Sequence, residues 1–149
     1  MRYGITIQLK NTPRFSNNFN PVSCILINFI PMQSPQQVAN AWFDAFNKHD
    51  IEMLLSLYAA DAEHYSPKLK ARQPETNGLI KGKPALRAWW TDAFTRLPNL
   101  HYKVLQLMAT DSRVFMEYIR QTPGEEDLQV GEVLDIENGK IIASRVYHS

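Results

Sequence analysis

His64 and Glu132 are the two side chains of this chain best suited to moving a proton. An imidazole titrates near neutrality, and burial can bring a carboxyl group to the same range. His64 lies in Leu57-Tyr-Ala-Ala-Asp-Ala-Glu-His-Tyr-Ser-Pro67, a stretch with two tyrosines, a histidine, two acids and a serine in eleven residues. Its Ser66 has no base-oriented triad in any legible motif, so nucleophilic catalysis is not expected. His148, next to the C-terminus, is a third candidate. His64, Glu132 and His148 could form a set of two histidines and one carboxylate. The close spacing of a dedicated metal motif is absent, so no metal is expected. No phosphate-cradling glycine loop or nucleotide fingerprint is present, and no cofactor is expected either.

The elements that carry these residues are legible from residue 34 onward. Ser34-Pro-Gln-Gln37 combines a serine cap, a proline in the first helical position and a glutamine three after the cap. Val38, Ala41, Trp42, Ala45 and Phe46 then form one helical stripe. Asp50 can cap a second, short helix through Ile51, Leu54, Leu55 and Leu57, with Tyr58 at its end. Residues 62–66 alternate as a strand, and residues 67–82 read as a long loop holding Pro67, Pro74, Gly78 and Gly82. A third helix runs from about Lys83 to Leu97, with Leu86, Trp90, Ala93, Phe94 and Leu97 on one stripe. Four strands follow near 100–110, 113–122, 128–137 and 140–148, with turn signals at Asp111-Ser112 and Asn138-Gly139. Helix, helix, strand, helix and an antiparallel meander make an α+β order, with the helices covering one face of a curved sheet.

At 149 residues with 44% hydrophobic and 21% charged side chains, the chain has the make-up of one globular domain. Sixteen basic residues against fifteen acidic ones give no electrostatic footprint for nucleic acid or an anionic membrane. No apolar run reaches the length of a membrane span. The single cysteine, Cys24, cannot form an internal disulfide, which fits a reducing, cytoplasmic setting. Residues 1–31 hold Arg2, Lys10 and Arg14 and no acid. They are expected to be a leader or upstream extension, poorly ordered, with organelle targeting as a weaker alternative. Residues 32–149 are expected to form a single domain.

Four stretches carry a resemblance: Trp42-Phe-Asp-Ala-Phe-Asn-Lys-His-Asp50, Leu57 to Pro67, Gly82-Lys-Pro-Ala-Leu-Arg-Ala-Trp-Trp90, and Glu137-Asn-Gly-Lys-Ile-Ile-Ala-Ser-Arg-Val-Tyr147. In this order they resemble the nuclear-transport-factor-2-like superfamily, which includes ketosteroid isomerases and SnoaL-like polyketide cyclases. The resemblance implies a cone-shaped curved antiparallel sheet packed against three N-terminal helices, usually as a dimer. It also removes some chemistry. The strand aspartate that serves ketosteroid isomerases as proton shuttle corresponds to Ser66, and their oxyanion-hole tyrosine to Trp42. Their oxyanion-hole aspartic acid corresponds to Glu132, the one position that keeps a carboxyl group. The aspartate of the cyclases is missing from Ile141 to His148, and the Asp-Arg-Asp set of the related epoxide hydrolases is not found.

Phased by this resemblance, the strands turn His64, Ser66, Met116, Tyr118, Val130, Glu132, Leu134, Ser144, Val146 and His148 inward. Trp42, Tyr58, Trp90 and Phe94 close the cavity from the helices. Such an apolar, aromatic-lined pocket with a few convergent polar groups suits a small apolar or amphipathic molecule. Glu132 among Val130, Leu134 and Trp90 is expected to have a raised pKa, with His64 as its acid/base partner. Cofactor-free isomerisation, dehydration, cyclisation or hydrolysis would fit. The rival reading is a non-catalytic ligand-binding or dimerisation module, since Phe115, Val133 and Tyr147 make the outer sheet face partly apolar and point to a homodimer. A protein-transport adaptor also uses this fold, but nothing here suggests a partner surface. Lys68, Lys70, Arg72, Lys81 and Lys83 read first as a solvated, charged loop, with cations that favour an anionic substrate at the mouth as the alternative.

Overall fold

Residues 31–148 are described in a computed structural model of the chain; all of the 1–31 leader but its last residue, with the targeting reading it carried, lies outside them. The first helix, α1 (Pro35–Asn47), starts as its sequence requires. The Ser34 hydroxyl accepts from the Gln37 N–H at 3.3 Å, and the Gln37 side-chain oxygen accepts from the Ser34 N–H at 2.9 Å. Val38, Ala39, Trp42, Phe43, Ala45 and Phe46 are its buried positions, a face wider than the five-residue stripe. Asp50 caps α2 (Ile51–Ser56) by accepting from the Met53 N–H at 2.9 Å.

The next segment departs from the sequence pattern. Strand β1 spans Tyr58–Tyr65, so Tyr58 opens a strand instead of ending a helix. The cause is pairing across the sheet: the Ile141 N–H donates to the Leu57 carbonyl at 2.8 Å. Residues 67–82 are not a loop. They fold as α3 (Pro67–Arg72), a 3₁₀ turn at Pro74–Thr76 and β2 (Leu79–Lys81). Both prolines sit at first-turn positions, where a missing N–H costs nothing. Gly78 returns the chain with φ +84°, and a Cβ there would lie 2.9 Å from the Tyr65 ring.

Helix α4 (Lys83–Arg96) precedes the meander β3 (His101–Ala109), β4 (Arg113–Gln121), β5 (Leu128–Glu137) and β6 (Lys140–Tyr147). The six strands form one curved, unclosed sheet in the order β2-β1-β6-β5-β4-β3. All neighbours are antiparallel except β1 and β6, which run parallel with His64 opposite Ser144. Asn138 and Gly139 both have positive φ, as a type I′ hairpin turn needs. Helices cover the concave face of the sheet, and the α+β cone is the fold. The short α3 is an addition to the three expected helices.

Alternation along the strands is regular. Val114, Met116, Tyr118 and Arg120 of β4, and Val130, Glu132, Leu134 and Ile136 of β5, are buried on the helix side. The end of α1 fastens the edge strand β3 to this core. Asn47 accepts from the Tyr102 N–H at 2.8 Å and donates to the Tyr102 carbonyl at 3.0 Å, as a neighbouring strand would. His49 bonds the Leu100 carbonyl through Nε2 at 2.8 Å. Asn47→Ala should therefore leave two backbone groups of β3 unpaired and lower stability by about 2 kcal/mol. Urea unfolding followed by circular dichroism checks this; an unchanged midpoint would mean that β3 is held elsewhere.

Candidate functional site

The helices and the concave sheet face enclose a cavity of about 330 Å³. Strand phase explains its deep end. Glu132 and Tyr118 project from the same face of adjacent strands, one step apart on the diagonal, because Glu132 pairs with Met116 and Tyr118 with Val130. The Tyr118 hydroxyl donates to Glu132 Oε2 at 2.7 Å. The other carboxyl oxygen, Oε1, is buried and has no hydrogen-bond partner among the described residues. Glu132 is 1% exposed, and burial pushes its pKa up to about 7, against the smaller lowering effect of the Tyr118 hydrogen bond. The raised carboxyl group expected from its apolar neighbours is present.

His64 has a different partner from the one expected. Its Nδ1 lies 2.7 Å from the Ser144 hydroxyl, directly across the β1–β6 pairing, and its ring meets the Trp90 ring edge at 5.5 Å. Burial pushes its pKa down to about 4, so the imidazole is neutral at physiological pH. Glu132 and His64 thus line one cavity without bonding each other. The near-neutral titration anticipated for His64 is lost because no carboxylate faces the ring to offset its desolvation.

Aromatic rings build the walls. Trp42 stacks on Phe46, Phe46 on Tyr102 at 4.2 Å, and Tyr102 on Tyr118 at 4.4 Å. Trp42 Nε1 donates to the Tyr58 hydroxyl at 2.9 Å, which fixes both rings. Burial, and next the charge of Glu132, raise the pKa of the Tyr58 phenol, so it stays neutral.

Of the residues assigned to the site from sequence, Trp42, His64, Ser66, Trp90, Tyr118, Glu132 and His148 line the cavity. Tyr58, Phe94, Met116 and Ser144 do not. Tyr58 and Ser144 support it from behind through Trp42 and His64, Met116 is buried in the core, and Phe94 packs on Phe46 and His49. Ser66 is 5% exposed and gives its N–H to Gly78, so it belongs as much to the turn as to the wall. No three His, Cys, Asp or Glu side chains group as metal ligands among the described residues, so His64, Glu132 and His148 do not make such a set.

Of the cations expected at the mouth, Lys68 and Arg72 reach the cavity, and Arg96 and Arg120 join them. The more exposed part of the lining is Lys68, Arg72, Arg96 and Glu125 with the largely buried Arg120, while Trp89 and Tyr102 add to the aromatic wall. Lys68 and Arg72 reach the cavity from α3, Arg72 with 48% of its side chain exposed; of the other loop cations, Lys70 is exposed and Lys81 pairs with Glu63. Inward-facing Arg120 was legible in the alternation of β4, two residues beyond Tyr118.

The buried pair of titratable groups fixes a pH response. Glu132 has a folded pKa above its unfolded value of 4.5, so its contribution to stability is complete below 4.5 and lost as pH rises through about 7. His64 acts oppositely, stabilising above 6.5 and losing that as pH falls through about 4. Glu132→Gln, which keeps shape but not charge, should gain roughly 2–3 kcal/mol relative to the unsubstituted protein between pH 5 and pH 8. Urea melts of both proteins at the two pH values check it; a pH-independent difference would mean that Glu132 is not held neutral.

Known structures share this fold. A SnoaL-like protein of unknown function from Burkholderia thailandensis superposes with a TM-score of 0.69 at 25% identity, over 77% of this chain and 94% of that one. A cystatin-fold protein from Novosphingobium aromaticivorans gives 0.66 at 21% identity, over 78% and 99%. A protein of ketosteroid-isomerase-like fold from Catenulispora acidiphila, solved with trimethylamine, gives 0.62 at 18% identity, over 78% and 88%. The last two show the fold alone. No curated protein matches. The SnoaL-like domain model matches residues 39–144, from the first helix to the strand that carries Ser144, and the chain belongs to that family.

Proposed function

We propose that this protein is a cofactor-free enzyme that moves a proton on a small, largely apolar molecule, with Glu132 as the base. The observation that carries this reading is the wholly buried carboxyl group with a pKa near 7, one oxygen held by Tyr118 and the other without a protein partner on the cavity wall. A base of that strength takes a proton at neutral pH and returns it as readily. Tyr118 orients the group and keeps Oε2 occupied, which leaves Oε1 as the accepting atom. We assign His64 a supporting role as a neutral hydrogen-bond donor. That role requires the Ser144 hydroxyl to donate to Nδ1, which places the ring proton on Nε2, where it can meet charge developing on the substrate. Isomerisation or dehydration next to a carbonyl is the reaction class that needs such a base and donor.

Exchange of the C2 protons of 1-tetralone in D2O, followed by NMR, tests the chemistry with a neutral ketone. The protein should accelerate exchange, the rate should rise through a pH of about 7, and Glu132→Gln should remove at least about 100-fold of the acceleration. No acceleration, or a Glu132→Gln variant as fast as the unsubstituted protein, would overturn the assignment.

We also propose that the chain works as a homodimer through its outer sheet face. Met108, Phe115 and Val133 stand opposite one another across β3, β4 and β5, and Met108 is 53% exposed. An apolar row on the outside of a sheet favours burial against a second copy. Light scattering should give the mass of two chains, and Val133→Asp should return a monomer; a monomeric unsubstituted protein would refute the dimer.

A further inference from the structure

The mouth of the cavity does not resemble its floor. Arg120 projects from β4 with 8% of its side chain exposed, and its guanidinium donates to Glu125 Oε2 at 2.6 Å. Glu125 belongs to the exposed loop between β4 and β5, and 49% of its side chain is exposed. That carboxylate is held below its usual range first by the Arg120 hydrogen bond and charge, then by Lys68 and Arg96. One carboxylate on a half-exposed side chain is thus bonded by Arg120 and feels the charges of Lys68 and Arg96. Lys68 has no ion-pair partner within 4.0 Å among the described residues, and its own pKa is lowered by burial and by Arg120. Arg96 and Arg72 share Asp92, at 2.7 and 3.8 Å. Among the described residues the lining of the cavity holds four such cations against Glu125 and the deep Glu132.

A buried guanidinium gives five N–H donors in a fork that fits a carboxylate, and Glu125 engages it through one nitrogen. The loop carboxylate thus occupies a place that an incoming carboxylate would fit. Resting on the reading of the cavity as a small-molecule site, we propose that the ligand is a small aromatic carboxylate. Its ring system lies among Trp42, Trp89 and Trp90, and its carboxylate binds Arg120 and Lys68 in the place Glu125 now holds.

Strand register gives the ligand its length. Arg120 pairs with Leu128 and Glu132 with Met116, four residues apart along the same face. That is roughly 13 Å between backbone positions. Once the lengths of both side chains are counted, a ligand of one or two rings is of the size that spans this separation. The reacting carbon then lies by Glu132 while the charged group stays at the mouth, close enough to the surface for its desolvation to be partial.

Calorimetric titration of the full chain with 1-naphthylacetate and its neutral isostere 1-naphthylacetamide tests this. The acid should bind at least tenfold more tightly than the amide. Arg120→Gln should abolish that preference, and Glu125→Gln, which removes the competing carboxylate, should tighten the acid several-fold and leave the amide unchanged. Equal affinities, no binding of either probe, or a preference that survives Arg120→Gln would overturn the proposal. Should Arg120→Gln fail to fold, Glu125→Gln decides alone: acid binding that does not tighten refutes it. Because 1-tetralone carries no charge, its exchange can succeed while the acid preference fails, which separates this proposal from the assignment of Glu132.

Discussion

Holding one carboxyl group inside an aromatic cone, with a single phenol as its partner, is the constraint on which the rest of the structure turns. An ionised carboxylate taken out of water without a cation is costly, so Glu132 meets the cost by holding its proton up to about pH 7. That outcome depends on strand register, because a slip of one residue would turn Glu132 outward and Tyr118 away from it. It depends equally on the stacked rings of Trp42, Phe46, Tyr102 and Tyr118, which exclude water from the same space. The grip of Asn47 on Tyr102 ties that stack to the edge of the sheet.

The same cavity is electrostatically two-ended. At physiological pH its floor holds His64 kept uncharged by burial, phenols that do not ionise, and one carboxyl group near its midpoint. Its mouth holds Lys68, Arg72, Arg96 and Arg120, closer to solvent and partly balanced by Glu125 and Asp92. Under the proposed function, this separation puts recognition of a charged group where water still screens it and proton transfer where little water weakens the interactions. The SnoaL-like family supplies the cone, but a cone hosts many reactions, and it is these particular side chains that narrow the choice.

Much of the frame could be read in advance because its signals are local. The serine–proline–glutamine start of α1, the Asp50 cap and the Asn138-Gly139 turn each act over three or four residues. Alternation carried Glu132, Tyr118 and His64 to the correct face once the phase was known. Misreadings came where pairing partners are far apart in sequence. Tyr58 left its helix because Ile141 draws the chain into the sheet. The segment after Ser66 looked like a loop because its prolines are breakers in general and tolerated only at the first turn of a helix.

The amino-acid sequence by itself therefore determined the main helices and strands outside residues 67–82 and the alternation along each strand, since periodicity and caps act within a few residues. The resemblance set the phase that put a carboxyl group in an apolar setting. Only the tertiary structure decided which groups meet. It gave Glu132 to Tyr118 and His64 to Ser144, withdrew Tyr58, Met116, Phe94 and Ser144 from the cavity wall, and gathered the cations of α3, α4 and β4 at one opening. Those outcomes rest on distances between strands and helices up to about eighty residues apart, as for His64 and Ser144, and such distances are set by packing and register across the whole sheet.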